Sequence, residues 1–446
     1  MTGVAAVAEQ RLTARRTWHL PWWGAQASIM GLVLFIPIRR YHFGTALGFE
    51  LEPYRVLLAG FLLVYLASRI VEGRPAAPPS GLAGPMALLL LAVLGSELGN
   101  LHRIGSQELQ PDVTKSIVFL LGFLVLIPLA LGTLSSRQEI DRVLVMLVVG
   151  GTAVAVLSII ESRTDWNAFN HLGSVIPGLG GPIQPYLPPR GGRLRVLGSA
   201  QHPIALGALF AVQLPICLYL FERYRRALFL GCGAVIGLAA LATVSRTAVI
   251  MIAVEIMVLF WLRPALRRLW PIAIPLVLMA HVALPGTLGA LRQAFFPKGG
   301  LVAQQQAGAN TRGSGRIADL GPALGRVSVR PLVGDGYGTR IVDVSPHQNA
   351  PILDDQWLGL LLDVGLVGAA AFLWLIVRHM RRMVRACRSA RGPDATGLAA
   401  LAATTAAYAV GMLTFDAIAF VQITFVFFLL IGIGCVLATI IEREAT

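Results

Sequence analysis

The residues best suited to chemistry in this 446-residue chain lie around one polar interval, residues 316–368. The interval begins with RIADLGPALGRVSVRPLVGDGYGT and later continues as SPHQNAPILDDQWLGLLLDVGLVG, which becomes apolar. Its arginines could bind an anion, because a guanidinium donates in bidentate geometry and stays protonated. A polar loop of this length between apolar segments usually serves binding or catalysis, so the interval is the first candidate for a functional site.

The composition is that of a polytopic membrane protein. Hydrophobic residues make up 56% of the chain and charged residues 13%, and the mean hydropathy is +0.70. A soluble domain has about 25% charged residues. The net charge of +14 includes 37 basic residues, of which two, Lys115 and Lys298, are lysines and the other 35 are arginines. These are spread along the chain, which favours topology setting, lipid contact or phosphate binding over nucleic-acid binding.

Twelve apolar intervals approach the roughly 20 residues that a bilayer-spanning helix needs. They are 18–38, 53–71, 82–98, 113–134, 141–161, 200–222, 227–244, 247–262, 266–284, 355–377, 397–416 and 417–440. If the N-terminus is inside, every predicted inner connection is rich in arginine, as short cytoplasmic loops are. The prediction is an all-α membrane domain over residues 1–446, with about twelve transmembrane helices, both termini in the cytoplasm and a long outer loop between helices 9 and 10.

Two predicted outer loops, 162–199 and 285–354, carry arginines against this topological preference. These are Arg163, Arg190, Arg193 and Arg195 in the first loop, and Arg292, Arg312, Arg316, Arg326, Arg330 and Arg340 in the second. Arg246, in SRTA, lies at the predicted outer end of two spans. An anionic partner on the outer side would explain all of them. The alternative is neutralisation by lipid headgroups or by acidic neighbours.

Each outer loop has a pattern of its own. Loop 162–199 is rich in proline and glycine up to Arg195, and the helix that follows has His202 in its first turn. His202 is either a polar residue at the water interface or, with Arg195, part of the lining of an outer cavity. In loop 285–354, RIADLGPALGRVSVRPL has apolar residues at helical spacing, which predicts an amphipathic helix on the bilayer surface or over a cavity.

Three blocks, in this order, resemble the bacterial O-antigen ligase and polymerase superfamily. The first is R-x-x-G followed by HP-x-x-LG, with Arg195, Gly198 and His202. The second is SRTA, residues 245–248, and the third is the interval 316–368 with PLVGDGYG and L-x-x-L-L-D-x-GLVG. The resemblance covers residues 190–370 in motif and the whole chain in topology. Each motif is degenerate, and their order on one membrane face makes the match specific.

The resemblance implies a glycosyltransferase of the bacterial cytoplasmic membrane with its active site facing the periplasm. The donor would be a glycan linked to polyprenyl diphosphate. A hydroxyl of a glycan or lipid-glycan acceptor would displace the diphosphate with inversion, without a nucleotide sugar, an obligatory metal or another cofactor. The candidate diphosphate-binding residues, where negative charge develops, are Arg193, Arg195, Arg246, Arg316 and Arg340. The four cysteines show no disulfide or metal-ligand spacing.

The acceptor hydroxyl needs a base or an oriented proton acceptor, and the candidates are His347, Asp354 and Asp355. Ligases of the family have a His-Asn pair about eleven residues before the GL-x-G step. Asp354 and Asp355 occupy that register here, and His347 lies seven residues earlier. Either His347 takes the family histidine's place or an aspartate replaces it. The D-D-Q-W-L form favours polymerase-type transfer. A structural alternative is that Asp354 caps the following helix.

Asp363 falls at an acidic position of the family pattern and is predicted to line the cavity, because intramembrane carboxylates usually face the bundle interior. It would either pair with an arginine or belong to a proton pathway. A proton pathway would suit the alternative function, a secondary transporter or flippase of an anionic lipid-linked substrate. The chain shows no convincing 6+6 repeat, and its polar features gather on one face rather than at mid-depth, which favours the transferase.

Overall fold

The computed structural model describes residues 21–43, 52–71, 78–181, 190, 193–306, 316–342 and 348–445. The predicted base His347 lies outside these ranges, as does Arg312.

Helices form nearly all of the regular structure. The first part of the chain contains α1 (Trp22–Phe35), α2 (Pro53–Val71), α3 (Ala83–Gly99), α4 (Leu101–Ser106), α5 (Gln110–Leu124), α6 (Leu126–Thr133), α7 (Arg137–Thr164) and α8 (Leu172–Val175). The rest contains α9 (Pro203–Ala211), α10 (Leu214–Tyr224), α11 (Leu228–Ala242), α12 (Arg246–Leu262), α13 (Ala273–Ala283), α14 (Thr287–Phe295), α15 (Leu301–Gln306), α16 (Arg316–Val327), α17 (Gln356–Ser389), α18 (Gly392–Gly411) and α19 (Val421–Ala445).

The remaining regular elements are short. Single 3₁₀ segments cover Ala168–His171, Pro264–Ile272 and Ala417–Ala419. Strands β1 (His42–Phe43) and β2 (Leu179–Gly180) pair in antiparallel register, with His42 opposite Gly180. This pairing ties the segment after α1 to the first predicted outer loop.

Each of the twelve apolar intervals contains a helix in the structure. Within the described residues, six helical segments are long and apolar enough to cross a membrane. They are Pro53–Val71, Gln110–Thr133, Arg137–Thr164, Pro203–Tyr224, Gln356–Ser389 and Val421–Glu444. Helices α1, α3 and α11 are apolar but shorter. The chain is therefore an all-α protein with the helices of a membrane protein, while twelve crossings and the orientation of the termini stay predictions.

The core is centred on α19, whose side chains are almost all buried. This helix packs against α6, α17 and α18. Its aromatic residues stack inside the bundle. Phe427 of α19 lies against Tyr408 of α18, with ring centroids 3.7 Å apart. By contrast, α2 is apolar but mostly exposed. A helix that is hydrophobic on all sides occupies the centre of a bundle, whereas an exposed apolar face suits contact with lipid.

Helix α17 is broken at Gly365, within the GLVG step, where the backbone has φ 65° and ψ −168°. A break leaves backbone groups without helical partners, and the PLVGDGYG loop supplies these partners. The bonds run from Asp335 N to Leu362 O (2.7 Å), from Gly336 N to Asp363 O (3.2 Å) and from Leu366 N to Pro331 O (2.8 Å). The two sequence motifs therefore form one structural unit.

Glycine is required at this contact. A Cβ at Gly365 would lie 2.3 Å from the carbonyl carbon of Leu332, and the positive φ also disfavours any other residue. On the facing loop, a Cβ at Gly334 would lie 2.7 Å from the backbone nitrogen of Gly365. The close approach fixes the N-terminal part of α17, and with it Asp354 and Asp355, relative to the loop.

Candidate functional site: an arginine cluster at the end of α17

Four arginines and one carboxylate come together where α9, α12, α16 and α17 begin. We call this set the arginine cluster, and it consists of Arg190, Arg195, Arg246, Arg316 and Asp354. The charges of Arg190 and Arg246 act on Arg195, and those of Arg190 and Arg316 act on Arg246. Asp354 acts on Arg190, Arg195 and Arg246 with the opposite sign. Four positive charges against one negative charge leave a net charge of +3.

Arg195 is the most deeply placed member, with 7% of its surface exposed. Its Nε donates to the carbonyl of Thr243 (3.4 Å), which lies just before SRTA. Its Nη2 is buried and has no hydrogen-bond partner among the described residues. Burial, together with the charges of Arg190 and Arg246, lowers the pKa of Arg195 to about 9. The protein therefore holds this guanidinium where its charge is less stable than in water, and a nearby anion would stabilise it.

The segment that carries Arg195 is held by a second ionic group. The carboxylate of Glu161, on α7, accepts the backbone amides of Leu197 (3.0 Å) and Gly198 (2.8 Å). The buried side chain of Arg40 donates to the carbonyl of Gly198 (2.9 Å). Gly198 has a φ of +52°, and a Cβ there would lie 2.7 Å from the hydroxyl of Ser158. The R-x-x-G spacing thus corresponds to a fixed turn that aims Arg195 inward.

Arg246 is positioned by the start of α12. Ser245 caps the helix by accepting the amide of Ala248 (3.4 Å), so that Arg246 is the first helical residue. Arg246 is 9% exposed, and its Nη1 donates to the carbonyl of Ala294 (3.3 Å). A Cβ at Gly207 would lie 2.8 Å from the Cβ of Ala248, so the HP-x-x-LG helix packs directly against SRTA. The two motifs are neighbours in space for this reason.

Arg316, the first residue of α16, joins the third motif to the other two. Its Nη2 donates to the carbonyl of Thr414 (2.8 Å) and lies 3.3 Å from Oδ2 of Asp354. The hydroxyl of Thr414 in turn bonds with that of Thr247 in SRTA (2.8 Å). The Nε of Arg316 is buried and has no hydrogen-bond partner among the described residues. A second guanidinium therefore has a spare donor in the same region.

The two adjacent aspartates have different surroundings. Asp355 is the N-cap of α17 and accepts the amide of Leu358 (3.1 Å). The sequence had suggested Asp354 as the cap, and this is wrong by one residue. The backbone of Asp354 instead has a left-handed φ of 51°, which turns its carboxylate towards Arg316. Of the pair, Asp354 belongs to the arginine cluster and Asp355 stabilises the helix end.

Asp416, which was not among the predicted site residues, supports this turn. Its carboxylate accepts backbone hydrogen bonds from Asp354 and Asp355. Burial, and then the charge of Asp354, raise the pKa of Asp416 to about 6. The only signal in the sequence is an acidic residue at the edge of an apolar run. Arg190 was likewise noted only as one of the arginines of the outer loop, although the structure brings it into the cluster.

Two predicted diphosphate-binding arginines have other partners. Arg193 donates to the carbonyl of Pro285 and to the hydroxyl of Thr287 (2.9 Å), which anchors its loop to α14. Arg340 forms an ion pair with Asp363 at 3.6 Å. Of the two explanations predicted for Asp363, this ion pair corresponds to pairing with an arginine rather than to a proton pathway. Arg340 also acts on Asp416, so it adjoins the cluster without joining it.

His202 is the N-cap of α9. Its Nδ1 accepts the amide of Ile204 (3.2 Å), and its ring stacks on Phe420 with centroids 5.6 Å apart. The ring is half-buried. These contacts account for the histidine structurally, and they leave its predicted place in a cavity lining untested.

A cavity of about 240 Å³ lies under α16, next to Arg340. Its lining consists of Asp319, Pro322, Ala323, Arg326, Arg340, Pro351, Leu353 and Leu362. Within the described residues, no group of three or more His, Cys, Asp or Glu side chains could hold a metal ion. This lining shares no residue with the arginine cluster, which itself offers guanidinium donors and a carboxylate.

Searches for relatives return no matching family model and no matching curated protein. The resemblance to the O-antigen ligase and polymerase superfamily consequently rests on the three sequence motifs alone.

Proposed function

We propose that this protein is a membrane glycosyltransferase that takes a glycan from a polyprenyl-diphosphate-linked donor. The observation that carries the proposal is the arginine cluster, in which buried guanidinium donors converge with a net charge of +3. A buried positive charge is stable only when it is compensated, and arginine matches phosphate oxygens in geometry. A diphosphate diester brings two negative charges and suits such a site. The chemistry therefore agrees with the motif resemblance.

In the proposed reaction an acceptor hydroxyl attacks the anomeric carbon of the donor from the side opposite the diphosphate. The new C–O bond forms as the bond to the diphosphate oxygen breaks, and the electron pair stays on the diphosphate. Arg195, Arg246 and Arg316 stabilise this growing charge. The product is the transferred glycan with inverted anomeric configuration, together with free polyprenyl diphosphate.

The proton of the acceptor hydroxyl needs an acceptor, and Asp354 is the best placed described residue. Its carboxylate faces the cluster, whereas the Asp355 carboxylate is engaged by the amide of Leu358 (3.1 Å). The D-D-Q-W-L form favours polymerase-type transfer, in which the acceptor is itself a glycan. His347 stays the alternative base.

The second candidate function is a transporter or flippase for the same class of anionic lipid. The break in α17 at Gly365 favours it, because transporters often bind substrate at broken helices. Here, however, the PLVGDGYG loop pairs with backbone groups on both sides of the break. We therefore prefer the transferase.

The test is reconstitution of the purified protein in liposomes with an undecaprenyl-diphosphate oligosaccharide. Lengthening of the glycan without an added acceptor supports polymerase-type transfer. Release of undecaprenyl diphosphate only after an acceptor lipid is added supports ligase-type transfer. Movement of the donor across the bilayer without any new glycosidic bond would contradict the proposal and favour the transporter.

A further inference from the structure

A basic cavity lies at the other end of α17 from the arginine cluster. It has a volume of about 450 Å³ and is lined by residues 79–82, by the C-terminal part of α17 and by Glu442 of α19. Arg382, in its wall, lies 27 residues after Asp355. At 1.5 Å per residue that spacing is about 40 Å, so the two basic regions are well separated.

One side of this cavity is a row of arginines on a single helix face. Arg378, Arg382 and Arg385 are four and three residues apart, a spacing that places them on the same side of α17. Arg382 is fixed by hydrogen bonds to the Glu442 carboxylate (3.1 and 2.7 Å) and to the carbonyl of Ser80 (2.7 Å). Arg382 therefore forms the floor of the cavity, where its position is fixed and its charge is balanced by Glu442.

The two outer arginines of the row are not neutralised in this way. Arg378 lies over the ring of Trp374, at 5.8 Å from its centroid, and Arg385 donates to the carbonyl of Arg381 (3.4 Å). Among the described residues, neither has an acidic side chain within 4.0 Å. Three arginines and Glu442 give the lining a net charge of +2. The cavity is therefore suited to an anion rather than to a neutral molecule.

The depth of the cavity indicates where such an anion would come from. The apolar stretch of α17 gives way to Arg378, that of α19 ends just before Glu442, and α3 begins just after Leu82. Apolar helices that end together mark the level at which hydrocarbon gives way to headgroups. Basic pockets between helices at this level are suited to anionic headgroups.

We propose that this cavity binds a phosphate group through Arg378 and Arg385, over the floor that Arg382 forms. A lipid headgroup and a free phosphate ester share this chemistry. The position of the cavity at the helix ends favours a phospholipid headgroup such as phosphatidylglycerol. The site differs from the arginine cluster in location, in residues and in ligand, and it does not depend on the proposed transfer reaction.

The test uses the full-length protein in detergent, with dioleoylphosphatidylglycerol as the lipid probe and dioleoylphosphatidylcholine as the reference. Native mass spectrometry measures lipid affinity for the wild type and for the double variant R378Q/R385Q. The matched control is R381Q/R388Q, which removes two exposed arginines of the same helix that do not line the cavity. Thermal melting of each variant checks that the fold is retained.

We expect R378Q/R385Q to lose about thirtyfold in phosphatidylglycerol affinity, since each basic residue near a headgroup contributes about a factor of five. The control should change by less than about twofold. Equal weakening in both double variants would overturn the proposal, because total charge and not the cavity would then determine binding.

Glycerol 1-phosphate, titrated into the same proteins by calorimetry, distinguishes the two sources. Weak or undetectable binding next to tight lipid binding identifies the lipid headgroup as the ligand. Binding as tight as that of the lipid, and lost in R378Q/R385Q, identifies a free phosphate ester. If wild-type protein binds neither probe in preference to phosphatidylcholine, the proposal is wrong.

Discussion

Arginines at the two ends of the bundle have different partners. At the end where α7 begins and α19 finishes, several arginines are paired with acids, as when Arg137 contacts Asp394 (2.8 Å) and Glu444 (2.5 Å). Nearby, Arg223 contacts Asp141 (3.1 Å). At the other end, the arginine cluster brings four guanidinium groups together around Asp354. Matched charges stabilise helix ends, whereas the converging like charges of the cluster are the basis for the anionic ligand that we propose.

The largest expected effect comes from removing a cluster arginine. Arg246→Ala should lower glycan transfer by about a thousandfold, the upper range for loss of one donor to a developing anion. Arg137→Ala, which removes a matched arginine at the opposite end, should leave transfer per folded molecule within a fewfold. The measurement is the initial rate with an undecaprenyl-diphosphate donor in liposomes. Similar rates for the two variants would remove the functional distinction between the ends.

The second prediction distinguishes the role of Asp354 from that of Asp355. Asp354→Asn should lower transfer by about a hundredfold, because loss of a proton acceptor typically costs that much or more. Asp355→Asn should change it by less than about threefold, since asparagine also caps helices well. Rates of both variants, with His347→Ala beside them, are measured in the same assay. Near-normal activity of Asp354→Asn together with loss in His347→Ala would assign the base to His347.

The third prediction concerns the stability of the end of the bundle at which arginines pair with acids. Asp141 is buried and accepts hydrogen bonds from Tyr219 (2.5 Å), Arg223 (3.1 Å) and Tyr224 (3.2 Å). Asp141→Ala should lower the free energy of unfolding by about 2 kcal/mol, because it strands these donors while Arg223 keeps partial access to water. Denaturation of the detergent-solubilised protein measures the loss. Transfer per folded molecule should be unchanged, and a selective loss of activity would contradict a purely structural role.

The smallest effect concerns pH. The pKa of Asp416 is raised to about 6, above its ordinary value of 3.8, so the folded state binds this proton more tightly than the unfolded state. The protonated carboxyl of Asp416 therefore contributes fully to the free energy of unfolding below about pH 4. This contribution is lost as the pH rises through about 6. Asp416→Asn should flatten that part of the curve of melting temperature against pH. An unchanged curve would mean that other groups cause the dependence.

Hydropathy predicted the helices well because the segments are long and apolar, and each predicted interval contains a helix. The motifs also predicted one anion-binding region for Arg193, Arg195, Arg246, Arg316 and Arg340, of which the structure brings Arg195, Arg246 and Arg316 together. Those arginines are fixed by local signals, namely a glycine turn, a helix cap and the first turn of α16. Local signals of this kind are visible in a sequence.

Pairing between distant residues is not visible in the same way. Arg340 and Arg190 are both arginines of predicted outer loops, and only Arg340 was predicted to bind the diphosphate. Asp363, 23 residues after Arg340, pairs with that side chain, while Arg190 joins the cluster. The break at Gly365 likewise depends on hydrogen bonds from a loop about 30 residues earlier in the chain. The glycine in the sequence indicated the GLVG step, but it did not indicate which loop pairs with it. Tertiary packing determines which of these distant residues pair with each other.

The most direct test of the central claim is a binding measurement that needs no turnover. Wild-type protein, Arg246→Ala and Arg137→Ala are titrated in detergent with undecaprenyl diphosphate and, separately, with undecaprenol, which lacks the phosphates. We predict that the wild type and Arg137→Ala bind the diphosphate at least about a hundredfold more tightly than the alcohol, and that Arg246→Ala loses most of this preference. Equal affinity of the wild type for the two lipids would contradict the assignment of the arginine cluster as a diphosphate site.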